Sequence, residues 1–153
     1  MNAKRMIAVL AGICLVVPAV ALALDAPTGL SAVVGADTVS LDWDDNVIEA
    51  VKYSVDIEGM VTYWDAILLA EATASVEVSF GTSDRTDGGV MGDSDLTIAI
   101  DDLAAAIAAE LGIPAGDVIS LDGIAKVKAL DPGKDKGRQN NPFSTPVDLD
   151  VVF

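Results

Sequence analysis

The chain has 153 residues, with 24 acidic and nine basic side chains, no histidine and one cysteine, for a formal charge of −15. That balance argues against a nucleic-acid binder, because the chain repels phosphate. The missing histidine removes the commonest general base and the usual zinc ligand, and a lone cysteine cannot close an internal disulfide.

Lys4 and Arg5 precede an apolar run from Met6 to Val20, broken only by Gly12 and Pro18. Ala21-Leu22-Ala23 then offers small residues at the two positions that a signal peptidase reads. This predicts a secretory signal peptide over 1–23 and one domain over 24–153, placed outside the cell, on its outer surface or in the periplasm. The alternative is a retained anchor, since the run from Met6 to Leu24 just reaches spanning length. It is the one expected route to a membrane. Cys14 follows Ile13 rather than a small residue, so no lipid anchor is expected. Losing Lys4 and Arg5 leaves seven basic residues against 24 acidic ones, a net charge of −17. Such a surface suits a salty exterior.

The mature part opens with Ala26-Pro27-Thr28-Gly29-Leu30, where proline suits the start of an edge strand. After the turn Gly35-Ala36-Asp37, Val39, Leu41 and Trp43 alternate with Thr38, Ser40 and Asp42. Past the polar cluster Asp44-Asp45-Asn46, Tyr53, Val55 and Ile57 alternate with Lys52, Ser54 and Asp56. A period of two predicts half-buried strands with one apolar and one wet face. Met60 to Tyr63 reads as a short strand, and Trp64 to Glu71 as a helical turn or packed loop. Ala74, Val76, Val78 and Phe80 alternate as a strand, followed by a loop from Gly81 to Asp93. Leu96, Ile98 and Ile100 form another strand.

The period then changes. Leu103, Ile107 and Leu111 lie on one helical face, so a helix is predicted at about 102–112. An aspartate at 101–102 caps it, Gly112 stops it and Pro114 prevents its return. Ile119 to Leu121 reads as a brief pairing, and Ala125, Val127 and Ala129 as a strand. Asp131 to Asn141 reads as a hairpin loop, Pro142 to Pro146 as an irregular edge, and Val147, Leu149 and Val151 as the last strand. The sum is an all-β, antiparallel sandwich with one inserted helix.

An ordered series of short motifs carries a resemblance. Pro27-x-x-Leu30-x-Ala32, Val39-x-Leu41-x-Trp43, Tyr53-x-Val55, Val127-x-Ala129 and Ser144-x-Pro146-Val147 resemble a fibronectin type III domain. Leu96 to Leu103 leading into an alanine-rich helix and Leu111-Gly112-Ile113, then Lys126 to Ala129 and Phe143 to Val147, are similar to the N-terminal domain of the SusE family. Those are surface proteins of Bacteroidetes-type starch-utilisation systems. The resemblance implies an immunoglobulin-like module with a helix before its penultimate strand, working in polysaccharide uptake. The aromatic that the family places two residues before Val127 is Ala125 here.

Residues with candidate chemistry are few. Tyr63 and Trp64 are adjacent, so a strand sends them to opposite faces and leaves one free as a glycan platform. Trp43 and Tyr53 read as core. Asp84, Asp87, Asp93 and Asp95, with Gly88, Gly89 and Gly92, share one loop of hard oxygen ligands that suits Ca²⁺, without EF-hand spacing. Asp42, Asp44 and Asp45 are a second acidic group. Lys134, Lys136 and Arg138 form a basic patch able to meet another acidic copy. No other cofactor and no catalysis is expected. The expected role is a secreted, non-catalytic module for structure, adhesion or assembly, with other surface proteins or copies of itself as partners. The alternative is binding of a starch-like polysaccharide.

Overall fold

The computed structural model describes residues 24–44, 52–80, 94–130 and 141–153. Among these residues seven strands and one α-helix follow in order: β1 Ser31–Val34, β2 Thr38–Asp42, β3 Lys52–Asp65, β4 Leu68–Phe80, β5 Asp95–Ala99, α1 Ile100–Leu111, β6 Val118–Leu130 and β7 Val147–Val152. The strands form two antiparallel sheets, β1-β2-β5 and β4-β3-β6-β7. This is an all-β sandwich with one helix. The expected leader over 1–23 lies outside the described residues.

Alternation decides which face is dry. Val39 and Leu41 of β2, Tyr53, Val55, Ile57 and Val61 of β3, Leu121, Ala125, Val127 and Ala129 of β6, and Leu149 and Val151 of β7 join one buried cluster. Burying the larger of these side chains stabilises the fold by about 1.5–3 kcal/mol each, before entropy is set against it. Trp43 and Tyr53, expected in the core, are buried there edge to face, with ring centroids 5.2 Å apart. Leu24, the first residue after the expected cleavage point, is also buried in this cluster.

The segment from Trp64 to Glu71 corrects the sequence reading. It is neither helical turn nor loop. Trp64 and Asp65 end β3, Ala66 and Ile67 turn, and Leu68 begins β4. Ala66 takes φ 59, and a positive φ at only the first central residue fits a type II′ hairpin turn. β3 and β4 therefore form one ribbon of 14 and 13 residues. The brief pairing expected at 119–121 is likewise part of the 13-residue β6. A register shift between Thr62 and Tyr63 leaves Ile119 as an extra residue of β6.

The three-stranded sheet is too short to cover this ribbon. Helix α1 covers part of the remainder, packing chiefly against β4 with Ile100, Leu103, Ala104, Ile107 and Ala108 buried. The expected aspartate cap is absent: Ala99 holds that position without a side-chain bond. The Ile100 N–H donates instead to the Asp37 carbonyl at 2.9 Å. Asp101 and Asp102 sit in the first turn, where their charge favours the positive helix end. Gly112, at φ 69, ends the helix as expected.

Candidate interaction surface

The register of the four-stranded sheet shows what its outer face presents. Asp56, Glu58, Glu71, Glu77, Asp122, Asp148 and Asp150 alternate with the core residues of their strands and point outward. Lys126 and Lys128 share that face. Lys126 lies 3.0 Å from Glu58 and 3.2 Å from Asp56, and Lys128 3.5 Å from Glu77. The hydrogen bond from Lys126 to Glu58 is the main reason its ammonium titrates above the ordinary lysine value. Phe143, from the irregular segment before β7, lies under both ammonium groups, 4.9 Å from Lys126 and 4.8 Å from Lys128. Ser144 fixes that segment: its N–H donates to the Val127 carbonyl, and its Oγ accepts from the Val127 N–H. The middle of the face is thus a closed network of charges rather than an open site.

At the β7 side, Asp122 and Asp150 are direct cross-strand partners. The charge of Asp122 pushes the Asp150 carboxyl above the ordinary aspartate value. No third ligand completes a cation site there: among the described residues no group of three possible metal ligands gathers.

The other end of the sheet differs in chemistry. Trp64 pairs with Leu69 and Asp65 with Leu68 on either side of the turn. Exposure is 44% for Trp64, 86% for Ile67, 69% for Leu68 and 60% for Leu69. Met60, further down the outer face, is also exposed. Among the described residues, the ribbon therefore ends in an apolar tip that neither sheet nor helix covers. Exposed apolar residues grouped in this way, beside the carboxylates of Asp65 and Glu71, make the tip a candidate interaction surface. Sequence reading missed Ile67, Leu68 and Leu69, because an unbroken apolar run reads equally as a packed loop or helix.

The two aromatics singled out from sequence part company here. Tyr63 faces inward, opposite Ala70, and is half-buried; Trp64 faces outward. They do not form a joint platform. Of the four proposed calcium ligands, Asp84, Asp87 and Asp93 lie outside the described residues. Asp95 begins β5, exposed and opposite Asp42. Asp44 is engaged elsewhere: it accepts from the Thr28 hydroxyl at 2.8 Å, and its N–H donates to the Thr28 carbonyl. Asp45 and the basic patch of Lys134, Lys136 and Arg138 also lie outside the described residues. Among known proteins, no family model and no curated sequence matches this chain.

Proposed function

We propose that this chain is a secreted, non-catalytic module of the cell surface or extracellular space, acting in adhesion or assembly through the tip of its β3–β4 ribbon. The observation that carries this reading is the exposure of Trp64, Ile67, Leu68 and Leu69 together at the end of an otherwise acidic sandwich. Side chains of this size are left in water only at a cost that a partner removes. The burial of Leu24 supports a folded domain that starts where the leader is expected to be cut. The fibronectin-III-like reading draws support from the strand order. Here the fourth strand joins the sheet of the third, sixth and seventh. In a constant-type immunoglobulin domain it joins the first, second and fifth. Sedimentation of the exported protein across a wide concentration range, with and without Ca²⁺, tests the assembly reading. Self-association is the expected result, and a strict monomer under both conditions counts against it.

Polysaccharide binding in a SusE-like uptake system is a second reading, favoured by one observation. Trp64 lies on the wet face of the sheet with Thr62 and Glu71, a stacking surface beside hydrogen-bonding groups. Retention on starch or another polysaccharide, lost in Trp64→Ala, supports it. No retention removes it and leaves the assembly module.

A further inference from the structure

Each sheet of a sandwich has two end strands whose outer backbone groups await partners. β1, β5 and β7 are short ends of 4, 5 and 6 residues. β4 is the fourth, and it runs for 13 residues. Among the described residues nothing pairs with its outer side. Long edges are normally blunted by proline, lysine or a bulge. Leu68–Phe80 contains no proline, lysine or arginine, and its register with β3 runs without a shift. Its charges are Glu71 and Glu77, and it begins at the exposed Leu68 and Leu69.

We propose that two copies of this chain join edge to edge through β4, antiparallel about a two-fold axis at Ala72, into one continuous eight-stranded sheet. This rests on the assembly reading above and extends its surface from the tip along the β4 edge. An antiparallel edge is complementary to itself under a two-fold axis, because each outward N–H meets a carbonyl of the copy. The axis must pass through a residue, since a one-residue slip would set wet faces against dry ones.

Charge then selects among the positions. An axis at Glu71 sets that carboxylate against its own copy. An axis at Ala74 sets Glu71 against Glu77. An axis at Thr73 sets Leu69 against Glu77, and one beyond Ala74 leaves Leu68 and Leu69 outside the pairing. At Ala72, Leu68 meets Val76, Leu69 meets Ser75, Ala70 meets Ala74 and Glu71 meets Thr73. The exposed Leu68 gains an apolar neighbour and no carboxylate faces another. A lipid surface suits the tip less well, because the exposed Asp65 beside Leu68 would have to enter it.

Thr73 is exposed on the outer face, so a change there leaves the monomer intact. Thr73→Glu sets carboxylates against Glu71 of the copy at both symmetry-related positions, and Thr73→Lys sets ammonium groups there. Sedimentation equilibrium on the exported protein is expected to show association weakened roughly five-fold by Thr73→Glu and strengthened to a similar degree by Thr73→Lys. The difference shrinks as salt rises. Self-association that ignores Thr73, or that both changes weaken alike, overturns pairing about Ala72 and leaves the assembly reading standing. A strict monomer removes both, and a monomer that sediments with phosphatidylcholine vesicles assigns the tip to a membrane instead.

Discussion

Gly59 of β3 and Gly123 of β6 face each other across the sheet, so closely that neither has room for a methyl group. A Cβ on Gly59 would lie 2.5 Å from the Asp122 carbonyl oxygen and 2.5 Å from the Gly123 Cα. A Cβ on Gly123 would strike the Glu58 carbonyl. Backbone cannot swing aside as a flexible side chain does. Gly59→Ala or Gly123→Ala is therefore expected to lower stability by about 1–3 kcal/mol, as overpacked cores do. Gly116→Ala, with nothing within 4 Å of its Cβ, serves as the neutral control. Urea unfolding of the three variants checks this.

The edge-to-face pair of Trp43 and Tyr53 ties the end of β2 to the start of β3, and so one sheet to the other. Trp43→Ala empties a large part of the core and is expected to cost about 3–5 kcal/mol. Trp43→Phe keeps an aromatic ring and should cost distinctly less. The comparison of the two by thermal unfolding separates ring packing from bulk.

Asp122 and Asp150 oppose each other on the wet face, and the raised pKa of Asp150 fixes the sign of a pH effect. A carboxyl that titrates higher in the folded state binds more protons folded than unfolded. Stability therefore falls as pH rises from the ordinary aspartate value, 3.8, through the raised one. Removing the repulsion should help only where both groups are charged. Asp150→Asn is expected to raise the melting temperature at neutral pH, with the gain vanishing below about pH 3.8 and shrinking in high salt. A gain that persists at acid pH would point to something other than charge.

Lys126 shows the opposite case. Its ammonium is held by Glu58 and Asp56, and its pKa is raised. That contribution is fully present below the ordinary lysine value of 10.5 and is lost as pH climbs through the raised one. Lys126→Met leaves two carboxylates side by side and takes one cation from Phe143. It is expected to cost about 1 kcal/mol at neutral pH and nothing further in alkali. Parallel alkaline unfolding curves for both proteins would refute the assignment.

Much of this fold is legible in the sequence, and the exceptions share a cause. Val39, Leu41 and Trp43, then Tyr53, Val55 and Ile57, alternate cleanly because one face of each strand is dry and the other wet. The signal fails at residues 64–71, where the ribbon outruns the sheet that should cover it. There both faces are partly exposed and both carry apolar residues, so the period of two disappears. The helix was readable from Leu103, Ile107 and Leu111, but its first donor is satisfied by the Asp37 carbonyl. A partner 63 residues away in the chain leaves no local mark. Tyr63 and Trp64 take opposite faces because β3 runs through both, although the sequence reads as a strand only up to Tyr63. That the wet one stands beside Leu69, at the end of a free edge, depended on the pairing of β3 with β4.

The tip itself offers the plainest separation of folding from function. Ile67 and Leu69 are well exposed, so they contribute little to the core. Replacing both with serine is expected to change stability by no more than about 0.5 kcal/mol. Each serine also removes apolar surface that a partner would otherwise bury. Association measured by sedimentation should weaken markedly, while the circular dichroism spectrum and unfolding midpoint stay where they were. An unchanged association constant would show that the tip is not the contact. A large loss of stability would mean that these side chains belong to the core after all, against their exposure.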